Sequence, residues 1–566
     1  MKALYNIILV LILVAFASSC RNLTNLNIDP NTISQVTVDP NFMMTTSIVE
    51  VVKPYQDDNY NGDCAGVMSY LQKSGWGSGL TYFNWSDPRS WAGNYGDFRD
   101  INLLLARAGW DKKDPTNASS PFHAGVGLVL KSFEYGLITS LWGDAPYSDA
   151  GLGAANTKPK FDAQEDIFKG IIADLKSANA LLAKPSTNIN PTADVIYAGN
   201  ALKWQKLANS LMLRFYMRLS VKSPAIAKAG IEEIMSNAST YPIFTSTADD
   251  ALMAYPGLSS SDSWSTAVAW DGTVAQGNYT RLQLCAAFRD VLVSVNDPRL
   301  PVWFKPVDVQ IVVTDAHAGE GGDVTIGNKR YITPAQIAAK GYQIYNPTTW
   351  VSATPSAITG KILIDTAKYV GIPLAIGKAE PFTYNLNPSP LQGGANQHVS
   401  ALTDMFSLKT SPMLKARAMT YAEVCFILAE AAQRGYNAGG SQQTWYNNGI
   451  QASLTTWGVG GAYSSYITMP GVAYDGTLSQ LIQQKYIAGF MNAQETWFDW
   501  RRTGLPVITI GNSGYRNTLP LRFKYDLTEL NINGDNAAVA VGKLVPTPNT
   551  GQTGNDDSWS KMWLLQ

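Results

Sequence analysis

The chain has 566 residues, 15% of them charged, with 43 Lys and Arg set against 44 Asp and Glu. That balance argues against binding a phosphate backbone, which needs a clustered excess of basic side chains. The length suffices for a large core, and 16 Trp with 27 Tyr suit flat contact with sugar rings or peptides, although most of these rings must still be core.

At the start, Lys2 precedes an unbroken apolar run from Ile7 to Ala17, which Ala17-Ser18-Ser19-Cys20 closes with small residues. A membrane-spanning helix needs roughly 20 apolar residues, and this run is about half that. It reads as a cleaved secretory signal over residues 1–19. The end of the run resembles a bacterial lipobox, with Ala where Leu is usual three residues before the cysteine. That resemblance implies acylation of Cys20, and several acyl chains hold a protein stably at a bilayer. Residues 20–41, rich in Asn, Asp, Thr and Pro, read as a tether.

From about residue 42 to 250 helical periodicity dominates. Asp162 and Glu165 have capping-box spacing, followed by Phe168, Ile171, Ile172, Leu175, Ala178, Leu181 and Leu182 on one face. A second helix places Trp204, Leu207, Ala208, Leu211, Met212, Phe215 and Leu219 on one side, with Lys203, Lys206, Arg214 and Arg218 opposite. Lys184 to Ala193 is the Pro/Asn/Thr loop between them. From about 251 to 415 periodicity fades, Gly, Ser, Thr and Pro become frequent, and short β-rich pieces such as Val307 to Thr314 appear. Long irregular stretches inside a compact protein are usually functional. Helices return over 416–566. Thr420 and Glu423 form a second capping box, Gly435 stands where that helix should stop, and Leu478 to Trp500 is a further helical block ending at Arg501-Arg502-Thr503-Gly504. The fold class is therefore mainly α, a scaffold of paired tetratricopeptide-like helices with a loop-rich insertion and a few short strands. No clean repeat of the ~34-residue period is visible.

Chemical motifs are near misses. Cys64, Cys285 and Cys425 are widely spaced and odd in number, which suggests neither a disulfide framework nor a zinc site. His123, His317 and His398 read as surface or hydrogen-bonded residues. Gly62-Asp63-Cys64-Ala65-Gly66 has the letters of a nucleophile elbow, but that motif needs a buried strand before it, and Asp57-Asp58-Asn59-Tyr60-Asn61 is not one. Asp57, Asn59, Asn61 and Gly62 fall at calcium-loop spacing, yet Met68 occupies the place of the bidentate Glu, so a polar turn is the better reading. No paired carboxylates stand out for glycoside cleavage, and no cofactor, metal or catalytic residue is expected.

Several motifs together resemble the SusD/RagB-like family. They are Asn25-Leu26-Asn27-Ile28-Asp29-Pro30-Asn31, then Trp91, Tyr95, Ile101 and Asn102, then Leu141-Trp142-Gly143-Asp144-Ala145-Pro146-Tyr147. Asp194 to Leu219, Asp297-Pro298-Arg299, Ala429-Glu430-Ala431-Ala432, Glu495 to Gly504, and Trp559 with Trp563 follow in the family's order. Each is weak alone, and their joint order spans nearly the whole chain. Arg522-Phe523-Lys524-Tyr525 departs from the family's Arg-x-Tyr-Pro, and Arg21-Asn22-Leu23-Thr24 lacks the acidic run that often directs such lipoproteins to the cell surface. The resemblance implies an outer-membrane lipoprotein, not an enzyme, facing the cell exterior. It implies capture of a glycan or peptide and delivery to a SusC-like TonB-dependent transporter, with outer-membrane lipid holding the acyl anchor and no nucleic-acid partner. A lipid-anchored glycoside hydrolase or peptidase is the alternative, and a purely structural lipoprotein a third.

In this family, binding surfaces come from loops over a fixed helical scaffold, and loops carry function for physical reasons too. The expected ligand-binding residues are Trp264, Trp270, Tyr279 and Trp350 in the loop-rich part, with Trp76 and Trp85 (and Tyr82 beside them) in an earlier Gly/Ser stretch. Asp262, Asp271 and Asn278 are the accompanying candidates for hydrogen bonding.

Overall fold

The computed structural model describes residues 38–60, 63–73, 90–152, 155–270, 278–347, 362–374, 383–390, 395–508, 510, 516, 518–551 and 554–566. Its long helices are α1 (Pro40–Tyr60), α2 (Trp91–Arg107), α3 (Pro121–Trp142), α4 (Gln164–Leu182), α5 (Ala201–Arg218) and α6 (Pro224–Ser236), then α7 (Tyr421–Gln433), α8 (Gln442–Thr456), α9 (Leu478–Ala488) and α10 (Ala493–Thr503). Neighbours in sequence pack as pairs, α1 with α2, α3 with α4, α5 with α6 and α7 with α8, while α5 bridges to α7 and α10. The mainly helical, paired architecture is as the periodicity predicts. No described helix is long and apolar enough to cross a membrane.

Helix α3 is buried on every side, and glycine lets its neighbours approach. A Cβ on Gly125 would lie 2.5 Å from Leu182 of α4, and one on Gly136 would lie 2.3 Å from the Phe215 ring of α5. One large core runs through all the long helices. Two small satellite cores, around Tyr384 and around Leu386, lie under the region between α6 and α7.

That region carries most of the strands, each two to five residues long. β1 (Leu71–Lys73) pairs antiparallel with β3 (Leu282–Leu284), and β2 (Ala251–Ala254) with β9 (Lys415–Met419). β4 (Gln310–Val313), β5 (Asp323–Ile326) and β6 (Lys329–Ile332) form a sheet in the order 4-6-5, and β7 (Gln343–Ile344) pairs with β8 (Leu363–Ile364). The β2–β9 pair closes the region at its two ends, bringing its entry and exit together beside α1.

Several local expectations need correction. Helix α1 begins at Pro40, so the last two residues of the expected tether belong to the folded body. Asn41 accepts hydrogen bonds from the Asn190 N–H and shares one with His123. Asp57 and Asn59 lie inside α1 rather than in a polar turn, and Asn59 accepts the Gln494 N–H at 2.7 Å. At Cys64 the expectation holds, since the residue is buried in the short helix Asp63–Val67, which follows a helix and not a strand. Asp162 does not cap α4 as part of a box with Glu165. Its carboxylate accepts the N–H groups of Tyr147 and Ser148, and the first N–H of α4 is satisfied instead by Asp144 at 2.8 Å. The Gly-Asp-Ala-Pro-Tyr segment and α4 therefore cap each other reciprocally. Thr420 does cap α7, accepting the Glu423 N–H at 3.3 Å, and Gly435 and Gly504 are left-handed at helix ends. The Leu478–Trp500 block is two helices, broken between Ala488 and Ala493.

Arg214 and Arg218, opposite the apolar face of α5, are both buried. Arg214 grips Glu423 with two bonds of 2.6 and 2.7 Å, and Glu495 lies between Arg214 and Arg218. Next to them Asp499 joins Lys485 at 2.6 Å and Arg502 at 2.8 Å, and Arg502 also reaches Glu430. Burial alone would raise the Asp499 carboxyl, but Lys485 and Arg502 pull it down to about 2. The network locks α5, α7, α9 and α10 together through buried, mutually paired charges.

Candidate ligand-binding face

The chain after β2 folds into a tight loop held by its own polar groups. The Gly257 N–H donates to the Asp262 carbonyl, the Ser259 N–H to the Asp262 carboxylate at 2.7 Å, and the Ser263 hydroxyl to the Ser259 carbonyl at 2.6 Å. The Trp264 N–H then donates to the Lys409 carbonyl at 2.8 Å, pinning the loop to the stretch just before β9. This geometry turns the two tryptophans in opposite directions.

Trp264 points inward and is 1% exposed. Its ring packs against Tyr60 at 4.7 Å, Tyr255 at 5.5 Å and Phe406 at 6.5 Å. As a ligand-stacking residue it is misassigned, because an indole enclosed on all sides offers no face to a sugar. Trp270 points outward and is 41% exposed. Its indole N–H donates to the Ser263 hydroxyl at 2.8 Å, which fixes the ring's orientation, and the Lys409 ammonium lies 4.5 Å from the ring centroid.

Tyr279 reaches the same stretch. Its hydroxyl lies 3.2 Å from the Leu402 carbonyl and 3.3 Å from the Asp404 carboxylate, and Asp404 pairs with Lys305 at 2.5 Å. Burial, then the charge of Asp404, raises the Tyr279 hydroxyl, so it stays a neutral donor. Trp270 and Tyr279 thus both contact the stretch 402–409, Trp270 at Lys409 and Tyr279 at Leu402 and Asp404. Asp262 has one carboxylate oxygen committed to its own loop. Asn278 opens the short helix that carries Tyr279.

Cys20, Trp76, Tyr82, Trp85, Asp271 and Trp350 lie outside the described residues. Lys409, Lys305 and Asp404 are the members that sequence reasoning missed. They stand in no motif, and only the fold brings them beside the aromatic loops. Among the described residues no group of three or more His, Cys, Asp or Glu could hold a metal ion. His123 sits between Ser120 at 2.7 Å and Asn41 at 3.0 Å, and His398 meets the Val309 carbonyl at 2.6 Å. Burial lowers the pKa of both rings, which fits structural hydrogen bonding.

The profile of a SusD-like family described as "Starch-binding associating with outer membrane" matches residues 30–355 and 364–526. The chain belongs to this SusD-like family. Its fold agrees with solved members. A SusD homologue from Bacteroides fragilis superposes with a TM-score of 0.68 at 18% identity, covering 94% of this chain and 100% of that one. A chitin-binding SusD homologue from Flavobacterium johnsoniae gives 0.66 at 20% identity, covering 93% and 98%. A third structure, described as a chitin-binding protein, gives 0.67 at 22% identity, covering 93% and 99%. At these identities the likeness is one of fold. No curated protein matches the chain. The family match spans the motifs from Trp91 to Gly504. The Leu141–Tyr147 and Glu495–Gly504 segments serve as scaffold joints here, one capping α4 and the other carrying the buried charge network.

Proposed function

We propose that this SusD-like chain is a lipid-anchored, outward-facing nutrient-binding protein of the outer membrane. It captures a glycan or peptide without chemical change and passes it to a SusC-like TonB-dependent transporter. The observation that carries this reading is the family match running across residues 30–526 with a single short break. The ligand face supports it: Trp270 offers a ring of fixed orientation among hydroxyls and charges, the composition of a carbohydrate contact.

The purified protein should be retarded in native gels containing soluble starch or glycol chitin, or should bind peptides, and should release no products from any of them. Failure to bind any glycan or peptide refutes the nutrient-binding reading, and product formation replaces it with a hydrolase. Cys20→Ala should move the protein from the membrane to the soluble fraction. Gentle detergent extraction of the native protein should recover a much larger barrel partner.

A further inference from the structure

We propose that the Trp270–Lys409 pair makes this face selective for glycans bearing an anionic substituent, a carboxylate or a sulfate, over neutral ones. The inference rests on the reading of the chain as a glycan binder and names the substrate class of that face.

Lys409 is exposed and its ammonium stands over the Trp270 ring, 4.5 Å from the centroid. The carboxylates of this region among the described residues have partners of their own. Asp404 is bound by Lys305 at 2.5 Å and by the Tyr279 hydroxyl at 3.3 Å. Asp262 accepts the Ser259 N–H at 2.7 Å within its own loop. Among the described residues no carboxylate lies within 4.0 Å of the Lys409 ammonium, and the Trp270 ring is the partner seen there.

Such an arrangement treats two kinds of sugar differently. A neutral pyranose stacking on Trp270 gains ring contact but must share the indole with an ammonium that already occupies part of it. An anionic sugar on the same ring accepts a charge-assisted hydrogen bond from that ammonium and keeps the stacking. Ser263 holds the indole edge, so the ring cannot swing away from Lys409 to release the neutral sugar from this competition. A lysine ammonium is a compact point charge with no planar fork, so it accepts a carboxylate or a sulfate alike.

The test is calorimetric titration of the full folded protein with four oligosaccharides of matched length. Two are acidic, tetragalacturonate and a sulfated carrageenan tetrasaccharide. Two are neutral, maltotetraose and chitotetraose. At low salt at least one acidic sugar should bind about five- to tenfold more tightly than both neutral ones, the scale of one partly desolvated ion pair, and the advantage should shrink as salt is added. Lys409→Gln should remove that advantage, and Lys409→Arg should retain it. Unchanged melting of Lys409→Gln shows that the variant is folded. Neutral sugars binding as well as both acidic ones, or a preference that survives Lys409→Gln, overturns the inference while leaving the glycan-binding reading intact. Absence of binding to all four sugars, with starch and chitin also negative, overturns both.

Discussion

Replacing Arg214 by Met removes a charge from the centre of the scaffold while keeping most of the side chain's volume. The Arg214 side chain is 4% exposed and makes three hydrogen bonds, two to Glu423 at 2.6 and 2.7 Å and one to the Ala418 carbonyl at 2.9 Å. Without it the Glu423 carboxylate, 7% exposed, keeps only a 3.4 Å contact from Asn492, and Glu495 keeps only Arg218. An isolated pair 4 Å apart near a protein surface attracts by about 4 kcal/mol, and removing one partner of a buried pair costs ~3–5 kcal/mol. A folded body of about 500 residues unfolds with an entropy near ~1 kcal/mol/K, so the melting temperature should fall by ~3–5 °C. Thermal unfolding followed by circular dichroism, with urea titration alongside, measures the loss. The Arg214→Met/Glu423→Leu double variant should recover part of it, because the orphaned carboxylate, more than the missing bond, is the cost. A single variant that melts within 1 °C of the parent would show that these charges are solvated and that the network does not hold the helices.

Trp264→Ala should destabilise the protein by ~3–5 kcal/mol by emptying an aromatic cluster, whereas Trp270→Ala should leave melting nearly unchanged and weaken glycan binding; the reverse pattern would place the ligand face elsewhere. Gly136→Ala ordinarily favours a helix by ~1 kcal/mol, but here the new Cβ meets the Phe215 ring at 2.3 Å, so a net loss of ~1–3 kcal/mol should appear in urea denaturation. Burial raises the Asp250 carboxyl from 3.8 to about 7, so the folded state holds a proton that the unfolded state has released. Its contribution to stability is fully present below pH 3.8 and is lost as pH rises to about 7. Asp250→Asn, whose side-chain oxygen can still accept the Tyr421 N–H, should flatten the pH–stability curve across that window; an unchanged slope would count against a buried proton there.

What the sequence determined was what short-range physics decides. The apolar faces of α4 and α5, the Thr420 cap, and the stops at Gly435 and Gly504 follow from helical period and from backbone groups a few residues apart. Family membership was legible for a related reason, since its motifs are short segments in a set order. The tertiary structure decided every question of partnership. Asp162 has capping-box spacing, but Tyr147 and Ser148 reach its carboxylate first, and Asp144 arrives from another segment to cap α4. Arg214 and Arg218 stand opposite the apolar face of α5, and only the fold brings Glu423 and Glu495, far along the chain, to meet them in the interior. Trp264 and Trp270 stand in the same polar loop with the same local signal. Only the backbone bond from Trp264 to Lys409 turns one ring into the core and leaves the other beside the Lys409 ammonium. A side chain's role in such places depends on which distant group the folded chain delivers to it, and local spacing holds no record of that.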